Sequence, residues 1–329
     1  MDDKQHDDAL HAYEAGAALV DRSHWGLIRM TGSTRHAFLH NQTTADFQNA
    51  PPGQIVSAVF LTAKARVVDW VRALIDEDAI WLITSPERHE VLLNWLPQFI
   101  FFMDDVQLND ERGQWAIFDL AGPQSRSLLA GLLPDEAALP PEGQHRRVTL
   151  AGVEGVHLAA MGELVGEGVT LLVPRAAAET VRAALHDAGA VTMPQPLWES
   201  LRVAQGRPMA DRELTEEYNP LEAGLWMAVS FRKGCYIGQE VVARLDTYQK
   251  LKQQLWGLDL EELVQPGTPV HVEGKAVGTV TSVAETPRGP RALAYVRSAA
   301  GGEGLTVEVD GTRATVVELP LLTRGRSDL

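Results

Sequence analysis

One cysteine, Cys235, stands in a chain of 329 residues. A lone thiol cannot close an internal disulfide, and it cannot by itself build a Cys-based zinc or iron–sulfur site. Any cluster chemistry therefore needs ligands from a partner or a small molecule. Basic residues are scarce as well: 29 Lys and Arg face 44 Asp and Glu, a net charge of −15. That balance argues against a protein that grips nucleic acid along a broad phosphate track, which needs a basic face. Long hydrophobic runs are missing too. The longest conspicuous uncharged stretch, residues 91–103, is interrupted by Asn94, Pro97 and Gln98 and is too short to span a bilayer. The first residues, with Asp2, Asp3, Asp7 and Asp8, lack the basic and apolar regions of a secretory signal, so the chain is expected in the cytoplasm. Nucleotide and hydrolase signatures are equally lacking. Gly274-Lys275-Ala276 has neither the upstream glycine nor the hydroxyl of a P-loop, and no GxGxxG or GxSxG stands in a fitting context.

What is present is a folded composition, 45% hydrophobic and 22% charged, too apolar for disorder. The length suits two or three domains. Residues 7–20 are Ala-rich and predict a helix, and 36–40 predict a short one. Strand-like runs occupy 55–61, 67–75 and 80–84, and 86–102 predicts a helix bent or broken at Pro97. The pattern then recurs: a strand over 115–120, a helix opening at Gly122-Pro123, strand-like runs over 148–158 and 168–173, and a helix over 176–189 with Gly189 at its end. After about residue 250 the texture changes to short strands separated by Glu273-Gly274, Gly301-Gly302 and Asp310-Gly311. Asp-Gly between alternating apolar residues is a strong hairpin signal. The chain is thus expected to be α+β: one α+β portion over 1–112, a second over 113–250, and a small antiparallel β-barrel over 251–329.

Candidate chemistry is concentrated in Phe231-Arg232-Lys233-Gly234-Cys235-Tyr236-Ile237-Gly238-Gln239-Glu240. Gly234 and Gly238 permit positive φ or close backbone approach on both sides of the thiol. Lys233 and Arg232 would favour its thiolate. Gln239 and Glu240 suit the first turn of a following helix. The alternative is a buried Cys in a strand-to-helix loop, with the glycines serving only the turn. His36 and His40 share a helical face, but Ala37 stands where a metalloprotease motif needs glutamate.

Lys-Gly-Cys-Tyr-x-Gly-Gln-Glu resembles the signature of the YgfZ family of folate-binding proteins, relatives of the glycine-cleavage T-protein (aminomethyltransferase). The resemblance extends to Glu199 through Pro208, to Asn219 through Leu225, to barrel strands around Gly278 and Ala292, and to the segment from Gly32 to Asp46. It implies two folate-domain α+β pieces and a barrel in a three-lobed ring around tetrahydrofolate. It further implies a role in assembling or repairing iron–sulfur enzymes, including tRNA-modifying ones, with no direct grip on nucleic acid and no membrane. Cys235 would act as a reactive thiol or transient ligand. Asp69, Arg202, Lys233, Gly234, Gly238, Gln239 and Glu240 would serve the folate site, although Arg202 could equally make a structural salt bridge and Asp69 could merely cap a strand turn. T-proteins carry paired aspartates where this chain has Asp69-Trp70, and a glutamate where it has Thr170. Those two differences favour a non-transferase. The alternatives are a folate-dependent aminomethyltransferase of the glycine cleavage system and a non-catalytic partner-docking module.

Overall fold

A computed structural model describes residues 3–135, 138–164, 166–248 and 250–326. In chain order the first elements are α1 (Asp3–Ala15), β1 (Ala18–Asp21), β2 (Gly26–Thr31), α2 (Arg35–Gln42), β3 (Ile55–Leu61), β4 (Val67–Ile75), β5 (Ile80–Thr84), α3 (His89–Trp95) and β6 (Gln107–Asp110). Then follow β7 (Trp115–Ala121), α4 (Ser125–Leu132), β8 (His145–Leu150), β9 (Val153–Ala159), β10 (Gly168–Pro174), α5 (Ala178–Asp187), β11 (Val191–Thr192), α6 (Gln195–Gln205) and α7 (Gln239–Tyr248). The last stretch is all strand: β12 (Gln253–Leu260), β13 (Pro269–Val272), β14 (Lys275–Thr286), β15 (Gly289–Arg297), β16 (Thr306–Val309) and β17 (Thr312–Val317).

These strands form a five-stranded sheet in the order β3-β4-β5-β2-β6, a six-stranded sheet in the order β11-β1-β7-β10-β9-β8, and a closed barrel in the order β12-β15-β14-β13-β16-β17. The class is α+β with an antiparallel C-terminal barrel, as the sequence predicts. The expected helix over 7–20 ends early, at Ala15, because Ala18–Asp21 pairs with Phe118–Ala121 of β7 and runs parallel to β11. The run over 148–158 divides into β8 and β9 at Ala151-Gly152, where both residues have positive φ. Among the described residues no helix is long and apolar enough to cross a membrane.

The chain divides into two compact units that alternate along the sequence. One holds Met1–His40, Asp46–Ser57 and Val71–Trp198; the other holds Asn41–Ala45, Ala58–Trp70 and Glu199–Leu329. The core of the first unit lies on the six-stranded sheet, where Leu19, Phe118, Leu158 and Leu171 meet Leu129 of α4 and Val181 and Leu185 of α5. Every second residue of those strands is apolar, and the two helices close that face with residues at helical spacing. In the second unit the barrel is filled by Leu258, Val270, Val280, Val307 and Val316. Its tight hairpins are set by Glu273-Gly274 (φ 50° and 75°) and Asp310-Gly311 (φ 51° and 78°), the left-handed pair that a two-residue turn requires.

Candidate functional site

The Lys233–Glu240 segment is held from below by residues 41–45. Lys233 is buried, and its ammonium donates to the carbonyls of Thr43 (2.7 Å) and Ala45 (2.9 Å) while facing the Tyr236 ring at 4.8 Å. The backbone follows: Ser230 N–H donates to Thr44 O (2.9 Å) and Ile237 N–H to Asn41 O (3.1 Å). Two charge-assisted bonds in a desolvated setting fix the loop more firmly than neutral ones would. The Lys233 charge is thus engaged by main-chain oxygens, a clamp beside the thiol-activating role expected from sequence. Cys235 is exposed, as is Gly234, so the buried-thiol alternative does not hold.

Gly238 has φ +83°, and a Cβ there would stand 2.9 Å from Thr62 O and 3.1 Å from Ala65 Cα. Backbone lies on the far side of that contact and cannot rotate away. Gly238→Ala is therefore expected to lose about 1–2 kcal/mol from the left-handed backbone alone, read as a lower denaturant midpoint; an unchanged midpoint would remove the close approach from the account. Gln239 and Glu240 open α7, Glu240 exposed in its first turn, where the partial positive charge of the helix end favours a carboxylate. Val242 carries α7 into a cluster with Val59, Trp70, Leu221 and Trp226.

Asp69 is fully buried on β4, and its Oδ1 accepts the amide of Trp70 (2.9 Å). Trp70 is itself packed in that cluster, with the Arg207 guanidinium 5.1 Å from its ring. Arg202, on α6, lies in a charged network inside the second unit. Its Nε donates to Glu199 Oε2 (2.8 Å), Nη1 to Glu213 Oε2 (3.3 Å) and Nη2 to Ser282 Oγ (2.8 Å), and Ser282 in turn donates to Glu213 Oε1 (2.6 Å). The Arg202 and Glu213 side chains are both fully buried. The expected residues thus fall into local groups: the Lys233 clamp with Cys235, Gly234, Gly238, Gln239 and Glu240; Asp69 within β4; and the Arg202 network.

A further polar group, which sequence reasoning missed, lies in the first unit. Arg22, 1% exposed, pairs with Asp119 (2.5 Å) and approaches Glu163 (3.5 Å), which also faces Arg72 at 3.9 Å. Thr170 Oγ1 donates to Asp119 Oδ1 (2.6 Å), the two being register partners on β10 and β7. The Arg22 guanidinium stacks 3.5 Å over Trp25, and its Nε and Nη2 are buried without hydrogen-bond partners. Burial pushes the Arg72 guanidinium below its usual pKa, with Glu163 opposing. A signal existed: Asp119 interrupts the otherwise apolar run of β7, and Asp69 and Arg72 interrupt that of β4. A charge in a buried strand is costly unless paired.

Comparison with known proteins fits this architecture. Residues 3–233 match the GCVT N-terminal domain, and residues 253–322 match the glycine cleavage T-protein C-terminal barrel domain. A chloroplastic protein of Arabidopsis thaliana, provisionally named a transferase, is 40% identical over 97% of this chain and 74% of its own length. An aminomethyltransferase of Pelodictyon phaeoclathratiforme is 30% identical over 78% of this chain and 71% of its own. Among solved structures, the glycine cleavage system aminomethyltransferase T from Bartonella henselae superposes with a TM-score of 0.85 at 22% identity, covering 98% of this chain and 90% of that one. With one family domain matched over more than half of the chain and the barrel domain behind it, the chain belongs to the glycine cleavage T-protein (GCVT) family.

Proposed function

We propose that this protein binds a reduced folate and, as a YgfZ-type member of its family, supports the assembly or repair of iron–sulfur enzymes without transferring aminomethyl groups itself. The observation that carries this reading is the exposed Cys235 on a loop held by the Lys233 clamp and the close packing of Gly238. A thiol kept at the surface by buried bonds on either side suits transient work on a partner's cluster. Trp70, buried where T-proteins carry the second of two aspartates, supports the absence of transferase chemistry.

The residues present fit a folate. An amino-pyrimidine edge offers N–H donors that a buried carboxylate accepts well, and its carbonyl needs a donor in return. Asp119 and Glu163 supply the first, and the partnerless Nε and Nη2 of Arg22 the second. Arg22, Asp119 and Glu163 would hold the pterin, which when bound supplies a carrier for one-carbon groups. The net charge of −15 keeps tRNA itself out of the set of ligands.

Calorimetric titration with tetrahydrofolate tests the reading: saturable binding is expected, with no tetrahydrofolate-dependent ammonia release in a reconstituted glycine-cleavage assay. Cys235→Ala is expected to keep folate affinity and lose support of an iron–sulfur enzyme; retained support would reduce Cys235 to a bystander. The names of its relatives favour a second reading, an active aminomethyltransferase, and ammonia release would establish it. Partner capture without folate binding would leave only a docking module.

A further inference from the structure

His145 opens β8 and His157 lies on β9, where the antiparallel register pairs Arg147 with His157 and His145 with Ala159. The two imidazoles are therefore diagonal neighbours on one face, stacked 6.0 Å apart at 22°. Both are buried, at 2% and 0% exposure. Asp76, which follows the last residue of β4, faces the same point: one donor atom from each of Asp76, His145 and His157 lies within 4.8 Å of the others.

The hydrogen bonds around the rings leave an acceptor over. His145 Nε2 donates to Ile75 O (2.8 Å), so Nδ1 of the neutral ring carries a lone pair, and that atom is buried with no partner. His157 Nε2 accepts from Arg147 Nε (3.2 Å), so the lone pair of that neutral ring faces the guanidinium, while its Nδ1–H is buried without a partner. Leaving such atoms unsatisfied is costly, and a neutral imidazole nitrogen is the commonest metal ligand. The place opposite them already attracts a cation, since Arg147 Nη2 pairs with Asp76 Oδ2 at 2.9 Å. The Arg147 side chain is 48% exposed and can leave. It lines an open surface pocket of about 390 Å³ together with Glu111 and the Arg29–Asp78 ion pair, so its departure opens the cluster toward that pocket.

We propose that Asp76, His145 and His157 form a binding site for a divalent transition-metal ion of the zinc class, which enters from this pocket and takes the place of the Arg147 guanidinium. Two imidazoles and one carboxylate suit zinc and its neighbours rather than calcium or magnesium. Closing on one ion at ligand distances of about 2.0–2.2 Å asks each group to move by less than about 1 Å. With His157 enclosed by Trp81 (5.2 Å) and Trp115 (5.6 Å), the ion ties the β8–β9 pair to the turn after β4. The site stands whether or not the folate reading does.

The test is titration of the full chain carrying Cys235→Ser, which removes the exposed thiol as a competing ligand, with Zn²⁺ by calorimetry and with Co²⁺ by visible absorption near neutral pH. Saturable binding of one ion per chain is expected, with a cobalt spectrum of nitrogen and oxygen ligands. Arg147→Gln is expected to tighten binding roughly fivefold, because a half-exposed ion pair no longer has to be broken. His145→Gln with His157→Gln is expected to weaken it by more than about 100-fold. Absence of binding, binding unchanged in that double variant, or Arg147→Gln leaving affinity equal or weaker would each overturn the proposal. Should the histidine variants fail to fold, Arg147→Gln decides.

Discussion

Arg202→Ala is expected to destabilise the second unit by about 3–5 kcal/mol, the range for removing one partner of a buried ion pair. The cost comes from what stays behind. Glu213 is fully buried, accepts from Met209 N–H (3.0 Å) and the Ser282 hydroxyl (2.6 Å), and would lose the guanidinium that pairs with it. Ser282 Oγ would lose its donor from Nη2, and the carbonyl of Arg207 the bond from Nη1. Changing both charges, as Arg202→Met with Glu213→Leu, is expected to recover much of the loss, since an apolar pair of similar volume avoids the desolvation that the ions incur. The measurement is the denaturation free energy of the transition that unfolds this unit. A loss below about 1 kcal/mol, the range of an exposed ion pair, combined with a large drop in tetrahydrofolate affinity, would return Arg202 to the ligand-binding role that the sequence resemblance implies.

Acid is expected to weaken the first unit over a defined window. Burial pushes the His157 imidazole down from 6.5 to about 4, and the charge of Arg147 acts in the same direction. His145 is shifted the same way, again chiefly by burial. Both rings are therefore neutral in the fold and take up protons first in the unfolded chain. Stability is unaffected above the unfolded value near 6.5, falls as pH drops toward 4, and levels off below it. For His157 alone the loss is on the order of 3 kcal/mol. Denaturant midpoints at successive pH values, read from tryptophan fluorescence, should fall across that window, and His157→Gln should flatten the slope. An equal slope in that variant would assign the acid sensitivity to carboxylates.

Local signals made much of this fold legible. The runs over 55–61, 67–75 and 80–84 became strands with those bounds, because each is mostly apolar and is followed by a polar residue: Thr62, Asp76 and Ser85. The Glu273-Gly274 and Asp310-Gly311 turns likewise follow from residues adjacent in sequence. What escaped depends on distance. Ala18–Asp21 is too short to show a period, and its partners stand near residues 120 and 191. Arg202 was singled out, yet its partner Ser282 lies 80 residues away and nothing local announces their shared burial. Asp119 and Arg22 are 97 residues apart, and neither has a neighbour that hints at the other. Lys233 was read beside the thiol because that is where the sequence puts it. Nothing next to it in sequence announces the carbonyls from the first 45 residues that hold its ammonium.

That last arrangement has a temporal side. The carbonyl of Thr43 is made 190 residues before the lysine that it holds, a delay of about 10–40 s at ordinary rates of synthesis. The thiol-bearing loop therefore cannot take its shape until Lys233 has been made, when the barrel strands β12–β17 are still to come. Because the acceptors are main-chain oxygens, the identities of residues 43 and 45 can drift in evolution without releasing the lysine, whereas the lysine itself has no equivalent substitute.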